Sequence, residues 1–339
     1  MNAVKKIVKA REFTSFLFLA ALFLIVGIIN PAFLTLDNIS ACFNSSVVYT
    51  LIAVGMAFAI FIGEIDVSVG STMGLSAAVA GTMIQNGYNW FLAFAAGILI
   101  GVVVGLINGW GVAVMKIPSL IFTLGTNGIL RGLMYLQVGV EQVNSLPKEF
   151  KDMSSKTLLG NFTVYYCCAV LLTIVIHILL TRTRRGRYFI AVGDNAGGAE
   201  LVGIPATRTK VMAYLICGVL SAASGIIFAS RIGIVTALSG TGYEMQAVAA
   251  CVRGGISLSG GVGSVIGAGI GAVIMASISY LLVFMGFSSN FDNAITGVIL
   301  ITIVVADALM QRRAAVNNRH ARLAARTSTA ISGKGAAEQ

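Results

Sequence analysis

Ten apolar stretches dominate the chain, at about residues 13–29, 47–62, 69–84, 90–114, 120–138, 162–180, 211–229, 245–252, 262–287 and 291–308. All but the eighth come near the roughly 20 residues that a helix needs to cross a hydrocarbon layer about 30 Å thick. Lipid offers no water to an open N–H or C=O group, so each stretch is predicted to be a helix. Pro31, Pro118, Pro147 and Pro205 all fall between stretches, where a missing N–H costs little. The fold class expected is all-α, a polytopic membrane protein with about ten transmembrane helices. The eighth stretch is short and runs into Arg253 and Gly254-Gly255, which suits a half-helix or re-entrant segment buried in protein.

Composition strengthens this picture. Hydrophobic residues make up 57% of the 339 and charged residues 11%, against about 45–50% and 25% in soluble domains. The formal net charge of +10 would suit a nucleic-acid binder, but the charge lies in the wrong places. Lys5, Lys6, Lys9 and Arg11 precede the first stretch. Arg182, Arg184, Arg185, Arg187, Arg208 and Lys210 share one loop, and Arg312, Arg313, Arg319, Arg322 and Arg326 open the C-terminal tail. No aromatic residues interleave with them to stack bases. Clusters beside apolar spans instead mark cytoplasmic faces, which puts both termini inside. In the loop after the fifth stretch, Lys148, Lys151 and Lys156 are offset by Glu141, Glu149 and Asp152, as an outer loop requires. One transmembrane domain over 1–311 is expected, with a cytoplasmic segment at about 182–210 and a basic, disordered tail over 312–339. The first stretch lacks a small-residue cleavage site and reads as a retained helix.

Few residues suggest chemistry. No G-x-x-x-x-G-K-S/T loop is present, so ATP is not bound by that route. Gly261-Val262-Gly263 resembles the start of a dinucleotide fingerprint, but the third glycine is misplaced. The five cysteines, Cys42, Cys167, Cys168, Cys217 and Cys251, have no metal-ligand spacing and read as small hydrophobes. No metal or cofactor is expected. An intramembrane protease would need a Ser–His pair such as Ser76 and His177, a pairing that arises by chance in Ser- and Gly-rich helices. Gly97, Gly101, Gly105 and Gly109 recur at four-residue spacing, as do Gly263, Gly267 and Gly271. Each set predicts a helix face where another helix approaches closely, within the subunit or between subunits.

Two stretches carry functional candidates. In Gly63-Glu64-Ile65-Asp66-Val67-Ser68-Val69-Gly70-Ser71, two carboxylates lie between apolar runs. Glu64, Asp66, Ser68 and Ser71 are gate candidates, because acids at membrane depth are costly and mark pathways. The alternative is an interfacial turn in which Asp66, assisted by Ser68, caps the next helix. The second stretch, residues 186–204, alternates apolar with small residues in a polar loop. It suits short helices offering a docking face, or a solvated connection. Its candidates are Gly186, Arg187, Ala191, Gly193, Asp194, Asn195, Ala199 and Gly203.

With these residues in view, the chain from about Phe13 to Leu309 resembles the permease subunits of ribose-type ABC sugar importers. Residues 63–71 are similar to the family's G-G-I-D-L-S-V-G-S motif, and 186–204 to its G-R-x-x-x-A-x-G-x-N-x-x-A-A-x-x-x-G-I motif. Tyr243-Glu244-Met245 and the run Gly254-Gly255-Ile256-Ser257-Leu258-Ser259-Gly260-Gly261-Val262-Gly263-Ser264 are similar to a third. Lys116-Ile117-Pro118, Thr123-Leu124-Gly125-Thr126, Gly193-Asp194-Asn195 and Ala249-Ala250-Cys251 look most like the autoinducer-2 branch. Two positions depart from the pattern: Glu64 stands where the family has a second glycine, and Gly198 where it has an alanine. The resemblance implies a non-enzymatic subunit of a bacterial inner membrane, paired with a second permease chain, identical or related. An extracytoplasmic binding protein would deliver a monosaccharide or autoinducer 2, and an ATPase would dock on 186–203. The rival class is an ion- or proton-coupled secondary transporter using Glu64 and Asp66.

Overall fold

The computed structural model describes residues 11–139, 143, 146–288, 291, 294–298, 301–302 and 305. The tail over 312–339 lies outside the described residues, as does half of the tenth apolar stretch; 294–298 are helical. The helices are α1 (Arg11–Ile29), α2 (Leu36–Ser45), α3 (Val47–Phe61), α4 (Val69–Gln85), α5 (Trp90–Gly109), α6 (Ser119–Val138), α7 (Lys148–Asp152), α8 (Val164–Arg182), α9 (Arg184–Asp194), α10 (Ala196–Leu201), α11 (Ala206–Ile232), α12 (Tyr243–Arg253) and α13 (Val265–Phe284). A turn of π-helix, Trp110–Val114, extends α5. Two short strands, β1 (Thr157–Leu159) and β2 (Phe162–Thr163), pair antiparallel ahead of α8. The all-α expectation therefore holds except for this ribbon.

Four of the described helices are long and apolar enough to cross a membrane: α5 with its π-turn, α8, α11 and α13. A fifth span is possible if α2 and α3, bent by 41° at Ser46, count as one. At 11 residues, α12 is too short to cross alone, as its flanking Arg253 and glycines foretold. The sequence pattern missed α2, whose residues Asp37, Asn38, Ser40, Asn44 and Ser45 break the apolar run. It also began α11 too late, because the first turn carries Thr207, Arg208, Thr209 and Lys210.

Chain ends of helices are fixed by local hydrogen bonds. Asn89 Oδ1 accepts from Phe91 N at 2.8 Å, and Thr183 Oγ1 accepts from Gly186 N at 2.9 Å. Pro118, Pro147 and Pro205 each occupy the residue ahead of a helix, where proline loses no ladder bond.

The centre of the bundle is α11 laid against α3, α4 and α5. Small residues set how closely it lies. A Cβ at Gly101 would sit 2.3 Å from the Gly218 carbonyl oxygen, and one at Gly105 2.6 Å from that of Tyr214. Gly97 faces Ser76 and Ile226, and Gly109 faces Val211. The four-residue glycine stripe is thus an internal contact between α5 and α11, driven by backbone approach rather than by water exclusion. Gly267 and Gly271 do the same for α13 against α12, with Cβ positions 2.1 Å and 1.9 Å from the carbonyl oxygens of Gly254 and Ala250. Gly263 does not belong to that stripe. It precedes α13 with φ +148°, because the run of glycines from 260 to 263 forms a loop before the helix starts.

Candidate functional site

The three motif stretches, far apart in sequence, meet at the end of α3. The Phe61 carbonyl accepts a hydrogen bond from Gly261 N at 3.0 Å. A Cβ at Gly193, near the end of α9, would lie 1.7 Å from that same oxygen. Only glycine lets α9 settle on this junction. A Cβ at Gly260 would lie 2.8 Å from Gly63 N and 3.0 Å from Gly193 O. Gly260 and Gly261 have φ of +82° and +70°, so the tight turn needs glycine independently of space. The Phe189 ring meets Phe58 edge-on, with centroids 5.0 Å apart and planes at 83°. Helix α9 therefore packs directly against the end of α3, where the loop that carries Glu64 and Asp66 begins.

Within that loop Asp66 is 1% exposed. Its Oδ1 accepts from Ser68 N at 2.9 Å and from Ser68 Oγ at 2.6 Å. Asn108 Nδ2 lies 3.3 Å from both carboxylate oxygens and donates to Ser68 Oγ at 2.8 Å. Thr126 Oγ1 donates to Asn108 Oδ1 at 2.8 Å, and Thr123 Oγ1 accepts from Val67 N at 3.1 Å. Ser71 Oγ donates back to Ser68 O at 2.9 Å. The result ties the loop to α5 and α6. Ser68 holds the capping position of α4 and makes no side-chain cap bond there, while Asp66, buried, accepts from the Ser68 N–H just ahead of the helix. Glu64, two residues away, faces elsewhere. Its Oε1 accepts from Lys210 Nζ at 2.6 Å, with both side chains partly exposed.

Sequence reading missed Asn108, Thr123, Thr126 and Lys210. Asn108 did carry a signal, since an amide inside a long apolar run must find partners. In the sequence Lys210 reads only as loop charge.

The docking candidates divide into two groups. Gly186 and Ala199 are buried, with Ala191 and Gly193 partly so. A Cβ at Gly186 would lie 2.3 Å from Leu179 O, so this glycine closes the turn from α8 to α9. Arg187, Asp194, Asn195 and Gly203 are exposed. Asn195 Oδ1 accepts from Gly198 N at 2.9 Å and starts α10. At its end Leu201 and Val202 are 90% and 76% exposed, beside a cavity of about 390 Å³ lined by Glu200, Ile204 and Arg208 among others. These apolar side chains join Arg187, Asp194, Asn195 and Gly203 on the outward face, while Gly186 and Gly193 turn inward. Ser76, the conceivable nucleophile, donates its hydroxyl to Ala222 O at 2.9 Å in the α4–α11 contact.

Residues 38–304 match the family described as branched-chain amino acid transport system / permease component. The chain belongs to this permease family. Autoinducer 2 import system permease protein LsrC of Enterobacter sp. (strain 638) is 39% identical over 310 residues, covering 91% of this permease and 90% of the relative. LsrC of Salmonella typhi is 37% identical over 304 residues, 90% of this permease and 87% of the relative. LsrC of Escherichia coli O157:H7 is 36% identical over 321 residues, 95% and 94% of the two chains. No solved structure matches the permease. Its long apolar helices accord with a multi-pass membrane protein.

Proposed function

We propose that this permease is the transmembrane subunit of an ATP-driven importer of the bacterial inner membrane. It carries autoinducer 2 or a similar small hydroxylated solute, such as a monosaccharide. The observation that carries the reading is the similarity to autoinducer 2 import permeases along nine-tenths of the chain. An extracytoplasmic binding protein delivers the solute, an ATPase docks on α9 and α10, and a second permease chain completes the path. Cytoplasmic termini, with the basic 182–210 segment on the same side, place that segment toward the ATPase, and 1–311 forms one transmembrane domain ahead of a cytoplasmic tail.

Geometry supports this mode of drive. ATPase closure pushes α9 and α10, Gly193 bears on the Phe61 carbonyl, and the 62–68 loop shifts against α5 and α6. This is a population shift driven by partner contacts at one end. Gate roles for Asp66, Ser68 and Ser71 follow from that linkage, and Glu64 acts as its clasp to α11. The ion-coupled alternative is disfavoured because Glu64 is engaged by Lys210 and Asp66 by Ser68 and Asn108.

The test is affinity purification of the tagged permease from mild detergent, followed by uptake assays on the complete importer. A co-purifying ATPase and ATP-dependent uptake of autoinducer 2, not competed by leucine, are expected. A permease that purifies alone and transports only with an ion gradient refutes the proposal. Competition by leucine would instead favour the amino-acid substrates in the family's description.

A further inference from the structure

A second polar cluster lies on α6, away from the α9 junction. Thr123, Asn127 and Arg131 are spaced by four residues and so share one helix face. Thr123 Oγ1 accepts from Val67 N in the 62–68 loop at 3.1 Å. Arg131 directs one of its N–H groups to Ser239 O at 2.7 Å, in the loop between α11 and α12. Asn127 therefore sits midway along a track of about 12 Å between the anchoring points of two loops.

That second loop lies directly on α4. A Cβ at Gly74 would be 2.4 Å from Ser239 O, and one at Gly70 would be 2.4 Å from Gly240 O and 2.2 Å from Glu244 Oε2. Glu244, in the first turn of α12, lies close enough to Arg131 to interact with its charge. Its Oε1 accepts from Gly242 N at 3.3 Å. Its Oε2 is buried and has no hydrogen-bond partner among the described residues, and the same holds for Asn127 Oδ1. Two buried acceptors without donors are unusual in a packed interior, and Glu244 lies near a guanidinium with five donors. The unmet requirement is for donors, while the local charge is balanced.

We propose that Asn127, Arg131 and Glu244 form a polyol subsite on the transport path. Solute hydroxyls donate to Asn127 Oδ1 and Glu244 Oε2, and Arg131 donates to a solute oxygen. A neutral hydroxylated solute fits, since it supplies the missing donors and adds no charge beside the Arg131–Glu244 pair. The glycines at 70 and 74 hold the loop against α4. The inference rests on the import reading above and adds to it the residues that touch solute.

The complete importer in proteoliposomes provides the test, with autoinducer 2 as the probe. Two quantities are read together: solute uptake, and ATP hydrolysis stimulated by the loaded binding protein. Asn127→Leu and Glu244→Gln should each lower uptake at least tenfold while stimulated hydrolysis stays within twofold of wild type. Asn127→Ser, which keeps a hydroxyl acceptor, should retain more uptake than Asn127→Leu. A separate arm uses a variant whose five native cysteines are replaced by alanine. There Asn127→Cys should react with a charged thiol reagent during ATP turnover, and Leu124→Cys, on an exposed face of the same helix, should not. Uptake within twofold of wild type in both variants overturns the subsite. So does a parallel fall of uptake and hydrolysis, which would make the cluster a structural latch. If wild type takes up no autoinducer 2, the import reading for that solute fails. The thiol arm then decides the subsite separately: labelling at position 127 keeps it on a water-lined path, and no labelling removes it.

Discussion

The Asp66 knot offers a sharp test of the gate loop. Both carboxylate oxygens act only as acceptors, taking bonds from Ser68 N, Ser68 Oγ and Asn108 Nδ2 at 2.6–3.3 Å. Asp66→Asn keeps one oxygen for Ser68 and turns the other into an amide nitrogen facing the amide nitrogen of Asn108. One hydrogen bond to a charged group is lost, worth about 1.5–3 kcal/mol, and two donors now oppose each other. A loss of about 2–3 kcal/mol is expected, a large share of the 5–15 kcal/mol typical of whole domains. Asn108→Asp in the same chain restores an acceptor opposite the new amide and still accepts from Thr126. The double variant should therefore recover part of the loss, with a coupling energy of about 1–2 kcal/mol. Unfolding of the four proteins in mixed detergent micelles measures the cycle, and uptake by the assembled importer should follow the same order. A single variant within about 0.5 kcal/mol of wild type would refute the reasoning, as would a double variant whose loss equals the sum of the singles.

Four other substitutions probe different contacts. Gly193→Ala forces a methyl group to within 1.7 Å of the Phe61 carbonyl oxygen unless α9 moves, so ATPase co-purification and uptake should both fall. Gly132→Ala inside α6, where nothing lies within 4 Å, should raise stability by up to about 1 kcal/mol through helix propensity. Glu64→Gly removes the ion pair with Lys210, which is partly exposed and worth no more than about 1 kcal/mol. Uptake should survive it, and complete loss would restore the ion-coupled reading. Leu201→Asp should abolish recovery of the ATPase with the tagged permease while leaving its membrane level unchanged, because this side chain is 90% exposed and supports nothing internal; an undiminished ATPase yield would place docking elsewhere.

How far the sequence reached depended on which physical signal each residue sends. Apolar runs of spanning length located α5, α6, α8 and α13 within a few residues, because lipid leaves helix as the available answer. The same signal failed where a helix leaves the apolar zone, as in the first turn of α11 and throughout α2. Glu64 and Asp66 were read as a pair because they are two residues apart. In a turn starting at Gly63, with φ +77°, adjacent side chains diverge, and one reaches Lys210 while the other is enclosed by α5 and α6. Glycine was the most instructive case. Its spacing marked close approach correctly at Gly97, Gly101, Gly105 and Gly109, but spacing alone gives no direction. Gly186 and Gly193 were assigned to a face offered to a partner, whereas both turn inward, onto Leu179 and Phe61. A missing side chain permits contact without choosing what is contacted, so the outward surface falls to residues that the interior does not use. Leu201 and Val202 satisfy that condition. Leu201 at the end of α10 and Val202 just after it have no core to join within this chain, and their burial would be against another chain. For that reason α10, more than the glycines of α9, should determine which ATPase this permease accepts.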